Sequence, residues 1–233
     1  MTTVAEGSVR SERNSRLVAI LARLPSLLFG LFLFAAGNVA NLYSNLGMYP
    51  WGVLHVGLVN YLPLTLGQVS QIIGLLVIAV GWLLGIAPGL GTLANMFFVG
   101  YFMDQIMAWR LMPVPSGFVW QMASLLLSVV LLGVGSYFYL RVQLGAGPRD
   151  GLMIGLVQRL GRSVWIVRCS LESTVLVLGY LLGGPVGIGT VVTALTVGYS
   201  VQLAFKIGRF DSRSPQTNLY DLYRILNGKN QKS

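Results

Sequence analysis

Apolar residues in this chain neither alternate nor keep to one stripe; they run on for whole segments. Largely apolar stretches cover roughly residues 24–44, 68–85, 92–109, 118–141, 166–183 and 190–207. Each is near the ~20 residues that an α-helix needs to cross a hydrocarbon core. Two shorter stretches, 50–62 and 148–160, open with a proline and are too short to span comfortably. Pro suits the first position of a helix, where its missing N–H would have been unpaired anyway. The pattern predicts an all-α polytopic membrane protein. A further stretch, NLYDLYRIL at 218–226, predicts a short amphipathic helix on a membrane surface.

The stretches come in two sets. Shifting the chain by 98 residues lays 37–101 on 135–199 without a gap. The frame LGMYPWGVLHVGL (46–58) then meets LGAGPRDGLMIGL (144–156), and GIAPGLGT (85–92) meets GGPVGIGT (183–190). Matched leucines mean little in so leucine-rich a chain. Matched glycines and prolines mark special backbone geometry or close packing. The pairs Gly47/Gly145, Pro50/Pro148, Gly57/Gly155, Gly91/Gly189 and Thr92/Thr190 therefore predict a duplicated unit. Each unit would hold three transmembrane helices and one short Pro-led helix, re-entrant or a short span. The organisation expected is a polar cytoplasmic segment 1–23, repeat 24–110, loop 111–117, repeat 118–208 and a basic tail 209–233.

Composition agrees with this class. Hydrophobic residues make up 55% of the chain and charged residues 10%, against about 25% charged in soluble domains. The net charge of +9 sits at the termini and at the ends of apolar stretches. That is the signature of cytoplasmic flanks, not of a nucleic-acid surface with interleaved aromatics. It places both termini on the cytoplasmic side of a membrane. A cleaved signal peptide is disfavoured, because the first apolar stretch has a counterpart at 118–141. One cysteine, Cys169, excludes an internal disulfide, and one histidine, His55, excludes a multi-histidine metal site. No metal and no cofactor is expected.

Charge also bears on orientation. No Lys or Arg stands between Arg23 and Arg110, so the loop near 46–50 reads as external. Its counterpart is surrounded by Arg141, Arg149, Arg159, Arg162 and Arg168, which reads as cytoplasmic. Three spans plus a re-entrant piece per unit would invert the second unit relative to the first. Four spans per unit would leave them parallel. The inverted arrangement violates the charge rule less and suits the short Pro-led segments.

Few residues carry chemistry. Asp104, Asp150 and Glu172 are the acids of the apolar body, and each is costly in a bilayer without a partner or a function. Arg149 and Asp150 form either a self-neutralising pair at a helix start or a ligand or proton site. Arg168 and Glu172, four apart, can share a helix face as a tether or a transport site. Asp104 sits near an interface, where a solvated acid is expected. His55 is either a hydrogen-bonded filler or part of a path. Gln71, Asn95, Thr92 and Thr190 could line that path or bond helices together. No hydrolase or metalloprotease motif is present, so no enzyme is expected.

The two LGxxPxxxLxxGL frames, Arg168 with Glu172, and GGPVGIGT together resemble the YczE-like (YczE/YyaS/YitT) integral membrane proteins over about residues 25–207. GPRDGLM is the most specific part. Gly52 stands where the family commonly has an acid, so an acid in both repeats is not essential here. The resemblance implies a multi-pass protein of the bacterial plasma membrane, often presumed to be a transporter, and it supplies no catalytic residue. The reading is a small secondary transporter of unknown substrate, in contact with the bilayer and able to form a homo-oligomer, with a non-transporting regulator or scaffold as the rival.

Overall fold

The computed structural model describes residues 15, 17–211 and 214–226. Of the polar segment expected at 1–23, residues 1–14 and 16 lie outside them, as do 212–213 and 227–233. The described chain forms helices and no strand: α1 Leu24–Tyr43, α2 Pro50–Val59, α3 Leu66–Leu83, α4 Leu90–Ala108, α5 Phe118–Leu140, α6 Pro148–Leu160, α7 Val164–Leu181, α8 Ile188–Ile207 and α9 Leu219–Leu226. Five helices among the described residues, those ending at Tyr43, Leu83, Leu140, Leu181 and Ile207, are long and apolar enough to cross a membrane. The apolar helices fit a multi-pass membrane protein. Helix α4 is as long, but Asn95, Asp104 and Gln105 dilute its apolar character.

Helix α1 packs along α5, and the two run antiparallel. Arg23 donates to the Val142 carbonyl at one end, Ser26 to the Phe138 carbonyl next to it, and Ser124 to the Ala40 carbonyl at the other. Small residues let the two backbones touch. A Cβ at Gly30 would lie 2.5 Å from the Tyr139 nitrogen, and one at Gly135 would lie 2.7 Å from the Phe34 nitrogen. Close approach of this kind is how helices associate in lipid, where apolar burial gives no drive. On the outer flanks, α4 packs against α1, and α8 against α5.

The remaining helices pair across the two halves. Helix α2 packs on α7, and α3 on α6. Trp51 and Leu54, Val77, Leu152 and Val175, one or two from each of these helices, form their shared core. Helix α2 does not run the length of the bundle. Its leading loop is bonded to the turn after α7 (Met48 amide to Pro185 carbonyl, 3.1 Å), and so is its trailing Asn60 (to the Leu182 carbonyl, 3.1 Å). Both of its ends therefore lie at one end of the bundle. Helix α6 lies in the same way on the turn after α3, where a Cβ at Gly155 would meet Leu84 at 2.9 Å.

The two halves differ at one seam. Thr65 caps α3, accepting from the Gln68 amide, and its hydroxyl donates to the Asp104 carboxylate of α4 at 2.5 Å. The Gly67 amide donates to the same carboxylate at 2.9 Å. Gly67 and Gly100 allow that approach, since a Cβ on either would strike the other's carbonyl. The counterpart of Gly67 is Trp165, 73% exposed, and that of Asp104 is Gln202. Gly198, the counterpart of Gly100, faces open space. Helices α7 and α8 are therefore not locked together as α3 and α4 are. Asp104, expected to be solvated at an interface, instead clasps two helices.

Candidate functional site

The two Pro-led helices start alike. Tyr49 and Gly147, their capping residues, have nearly equal backbone angles (φ −59°, ψ 156° and φ −60°, ψ 158°). Each start is held from the end of a long helix. The Tyr49 amide donates to the Asn41 side-chain carbonyl at 3.3 Å. Tyr139 occupies the position 98 residues after Asn41, and a Cβ at Gly147 would lie 3.3 Å from its hydroxyl. The sequence reading passed over Asn41 and Tyr139, because they share neither residue type nor a motif; only their registry in the repeat could have marked them.

Arg149 and Asp150, adjacent in sequence, turn to opposite sides. The Arg149 guanidinium lies 4.7 Å from the centre of the Trp51 ring and 5.3 Å from that of Tyr49. Cation–π contacts of this kind tether a charge that is partly stripped of water. Trp51 and Tyr49 belong to the first half and Arg149 to the second, so this contact joins the two. His55, one turn beyond Trp51 on α2, is 2% exposed and within electrostatic reach of Arg149.

Asp150 instead faces a cavity of about 530 Å³. That size is within the range of small-molecule sites. Val77, Ile78, Ile86, Leu152, Phe205 and Phe210 are among its lining residues. Residues 214–218 line its edge. They are held there by bonds from the Thr217 amide to the Gln143 carbonyl (3.0 Å) and from the Leu219 amide to the Pro88 carbonyl (2.9 Å). Asp150 is half-buried, and Arg168 and Arg149 both act on it electrostatically. Among the described residues, no ion pair within 4.0 Å holds its carboxylate. Arg149 therefore reaches Asp150 electrostatically but forms no ion pair with it within 4.0 Å.

The other candidates separate. Arg168 is exposed and Glu172 half-buried on α7, with no ion pair within 4.0 Å between them, so the tether is not formed. Gln71 donates to the Phe97 carbonyl at 2.9 Å and joins α3 to α4. Asn95 lies half-buried on α4, away from the cavity lining. Thr92 borders the cavity, accepting from the Gly89 amide and donating to the Ala146 carbonyl at 2.6 Å. Thr190 accepts from the Gly187 amide in the same way. Pro50 and Pro148 open α2 and α6, Gly57 and Gly155 lie within them, Gly47 and Gly145 lie in the loops before them, and Gly91 and Gly189 lie in the first turns of α4 and α8.

Three comparisons bear on the chain. The profile of a family of unknown function, DUF6198, matches residues 21–206. An uncharacterised protein of Haemophilus influenzae is 39% identical over 181 residues, 78% of this chain and 82% of its own. The uncharacterised membrane protein YczE of Bacillus subtilis is 36% identical over 191 residues, 82% and 85% of the two chains. The uncharacterised protein YyaS of the same organism is 28% identical over 174 residues, 72% and 85%. No solved structure matches.

Proposed function

The chain belongs to this YczE-like family of unknown function, and from its geometry we propose that it is a small secondary transporter of the bacterial plasma membrane, built from two inverted repeats. The antiparallel run of α1 and α5, equivalent helices of the two halves, is the observation that carries the reading. With α2 held at one end of the bundle and α6 on the turn after α3, each half supplies a short Pro-led helix to an opposite face. Inverted repeats with short or broken helices are a recurrent plan for alternating access, with the substrate site between the repeats. Irregular backbone is tolerated at membrane depth where it lines a cavity.

In this reading Arg149, clamped between Tyr49 and Trp51, is the hinge contact between halves, and Asp150 faces the path. His55 is the buried polar group on the first-half side of that contact. Arg168 and Glu172 lie on α7, outside the cavity lining. The charge pattern puts the Asp150 end, with Arg141, Arg159 and Arg162, on the cytoplasmic side. Transport would be driven by an ion gradient, and no chemical conversion is proposed.

The test is reconstitution. Purified protein in proteoliposomes, given an inward proton or sodium gradient, should accumulate at least one member of a panel of labelled amines, carboxylates and sugars. Asp150→Asn should abolish that uptake. Folded protein that moves no solute under either gradient contradicts the reading.

A second reading has an observation of its own. Helix α7 exposes Arg168, Cys169, Ser170 and Ser173 on a span that α8 does not close over. A polar strip of this kind suits a partner protein in the membrane, and hence a regulator or scaffold.

A further inference from the structure

We propose that the cavity beside α6 binds an organic cation with an apolar body, its ammonium group seated on Asp150. This deepens the transporter reading by naming the class of its substrate. Three observations carry it.

First, Asp150 is the one ionisable side chain among the described residues that line the cavity. An ionised carboxylate at an apolar wall is expensive unless a cation or a proton shares it. Arg149 and Arg168 act on it from a distance, yet neither lines the cavity and neither lies within 4.0 Å as an ion pair. Arg149 is turned instead onto the Trp51 and Tyr49 rings. The carboxylate is therefore left open on its cavity side.

Second, the walls suit an apolar body. Val77, Ile78, Ile86 and Leu152 are aliphatic, and Phe205 and Phe210 are in edge-to-face contact, 5.2 Å between centres. Aromatic faces attract ammonium groups that carry methyls. Among the described lining residues an anion would meet one carboxylate and no cationic group.

Third, the described tail residues that line the cavity carry no charge. Ser214, Gln216, Thr217 and Asn218 are neutral and polar, and Gln216 accepts from the Gly145 amide at 3.3 Å. None of these four is a cation that would compete for Asp150.

The probe is benzyltrimethylammonium, whose neutral isostere, neopentylbenzene, has the same shape without the charge. Binding of both to the full chain in lipid nanodiscs would be measured by equilibrium dialysis. The cation should bind saturably, and Asp150→Asn should weaken it about ten- to a hundredfold, the scale of one charge-assisted contact. Met153→Trp, which fills the cavity and leaves Asp150 in place, should weaken it too and keeps the test valid if Asp150→Asn does not fold. Equal binding of the neutral isostere, binding indifferent to both substitutions, or no binding of the cation overturns the proposal. A site used by protons only gives that last result. Exchange of bound probe across proteoliposomes separates this proposal from the reading beneath it. Binding without exchange keeps the cation site and removes the transporter. Exchange indifferent to Asp150 keeps the transporter and removes the site.

Discussion

The Gly91 amide donates to the Leu144 carbonyl at 2.6 Å, and 98 residues along the chain the Gly189 amide donates to the Leu46 carbonyl at the same distance. Each bond ties the first turn of α4 or α8 to the loop before the other half's Pro-led helix. The halves are thus stitched together at both ends by the same contact. A polar bond of this kind, away from water, is costly to leave unmade. The starts of α2 and α6, where the candidate site lies, are fixed by it.

The two loops should be sensitive to the smallest side chain. Gly47 and Gly145 have φ of +102° and +124°, and a Cβ on them would lie 2.5 Å from the Gly187 nitrogen and 2.8 Å from the Gly89 Cα. Gly47→Ala and Gly145→Ala should each destabilise the protein by about 1–3 kcal/mol. Thermal unfolding in detergent measures this, with Gly198→Ala, which meets open space, as the unaffected control.

The α3–α4 clasp should depend on one carboxylate. Asp104→Ala leaves the Thr65 hydroxyl and the Gly67 amide without their acceptor, at a cost of about 1–3 kcal/mol. Gln202→Ala, at the equivalent place in α8, should change stability little. The same unfolding measurement distinguishes them.

The Arg149–Trp51 contact should be measurable as a coupling. A double-mutant cycle with Arg149→Met and Trp51→Leu should return an interaction of about 1–2 kcal/mol. Additive effects would mean that the ring and the guanidinium do not share one energetic unit.

The tail should govern access to the cavity. A chain ending at Arg209 lacks the bonds from Thr217 and Leu219 that hold the edge over the cavity. In a Cys169→Ser background, a cysteine placed at Met153 should react faster with a thiol reagent in the shortened chain than in the full one. Equal rates would show that residues 214–218 do not limit entry.

Much of this architecture is legible in the sequence. The helix ranges follow from apolar run length bounded by Gly and Pro, because a span must be apolar throughout and has no other pattern to follow. Pro50 and Pro148 marked helix starts, and NLYDLYRIL marked α9. The side-chain partnerships were harder to read. Arg149 beside Asp150 and Arg168 near Glu172 look like ion pairs by spacing. Spacing does not include the ring of Trp51, nearly 100 residues away, that draws Arg149 aside. Asp104 looked solvated because its clasp depends on Thr65, 39 positions earlier. The cavity was not legible, since part of its lining comes from a tail that reads only as polar and basic.

The inverted arrangement of the halves is the claim on which the rest depends, and topology tests it most directly. Tyr61 and Arg159 occupy equivalent positions just past or late in the two Pro-led helices, and both are exposed. In the Cys169→Ser background, single cysteines at these two sites would be labelled on intact cells with a membrane-impermeant thiol reagent. The account predicts that the cysteine at Tyr61 reacts from outside and the one at Arg159 reacts only after the membrane is permeabilised. Reaction of both from the same side would contradict it.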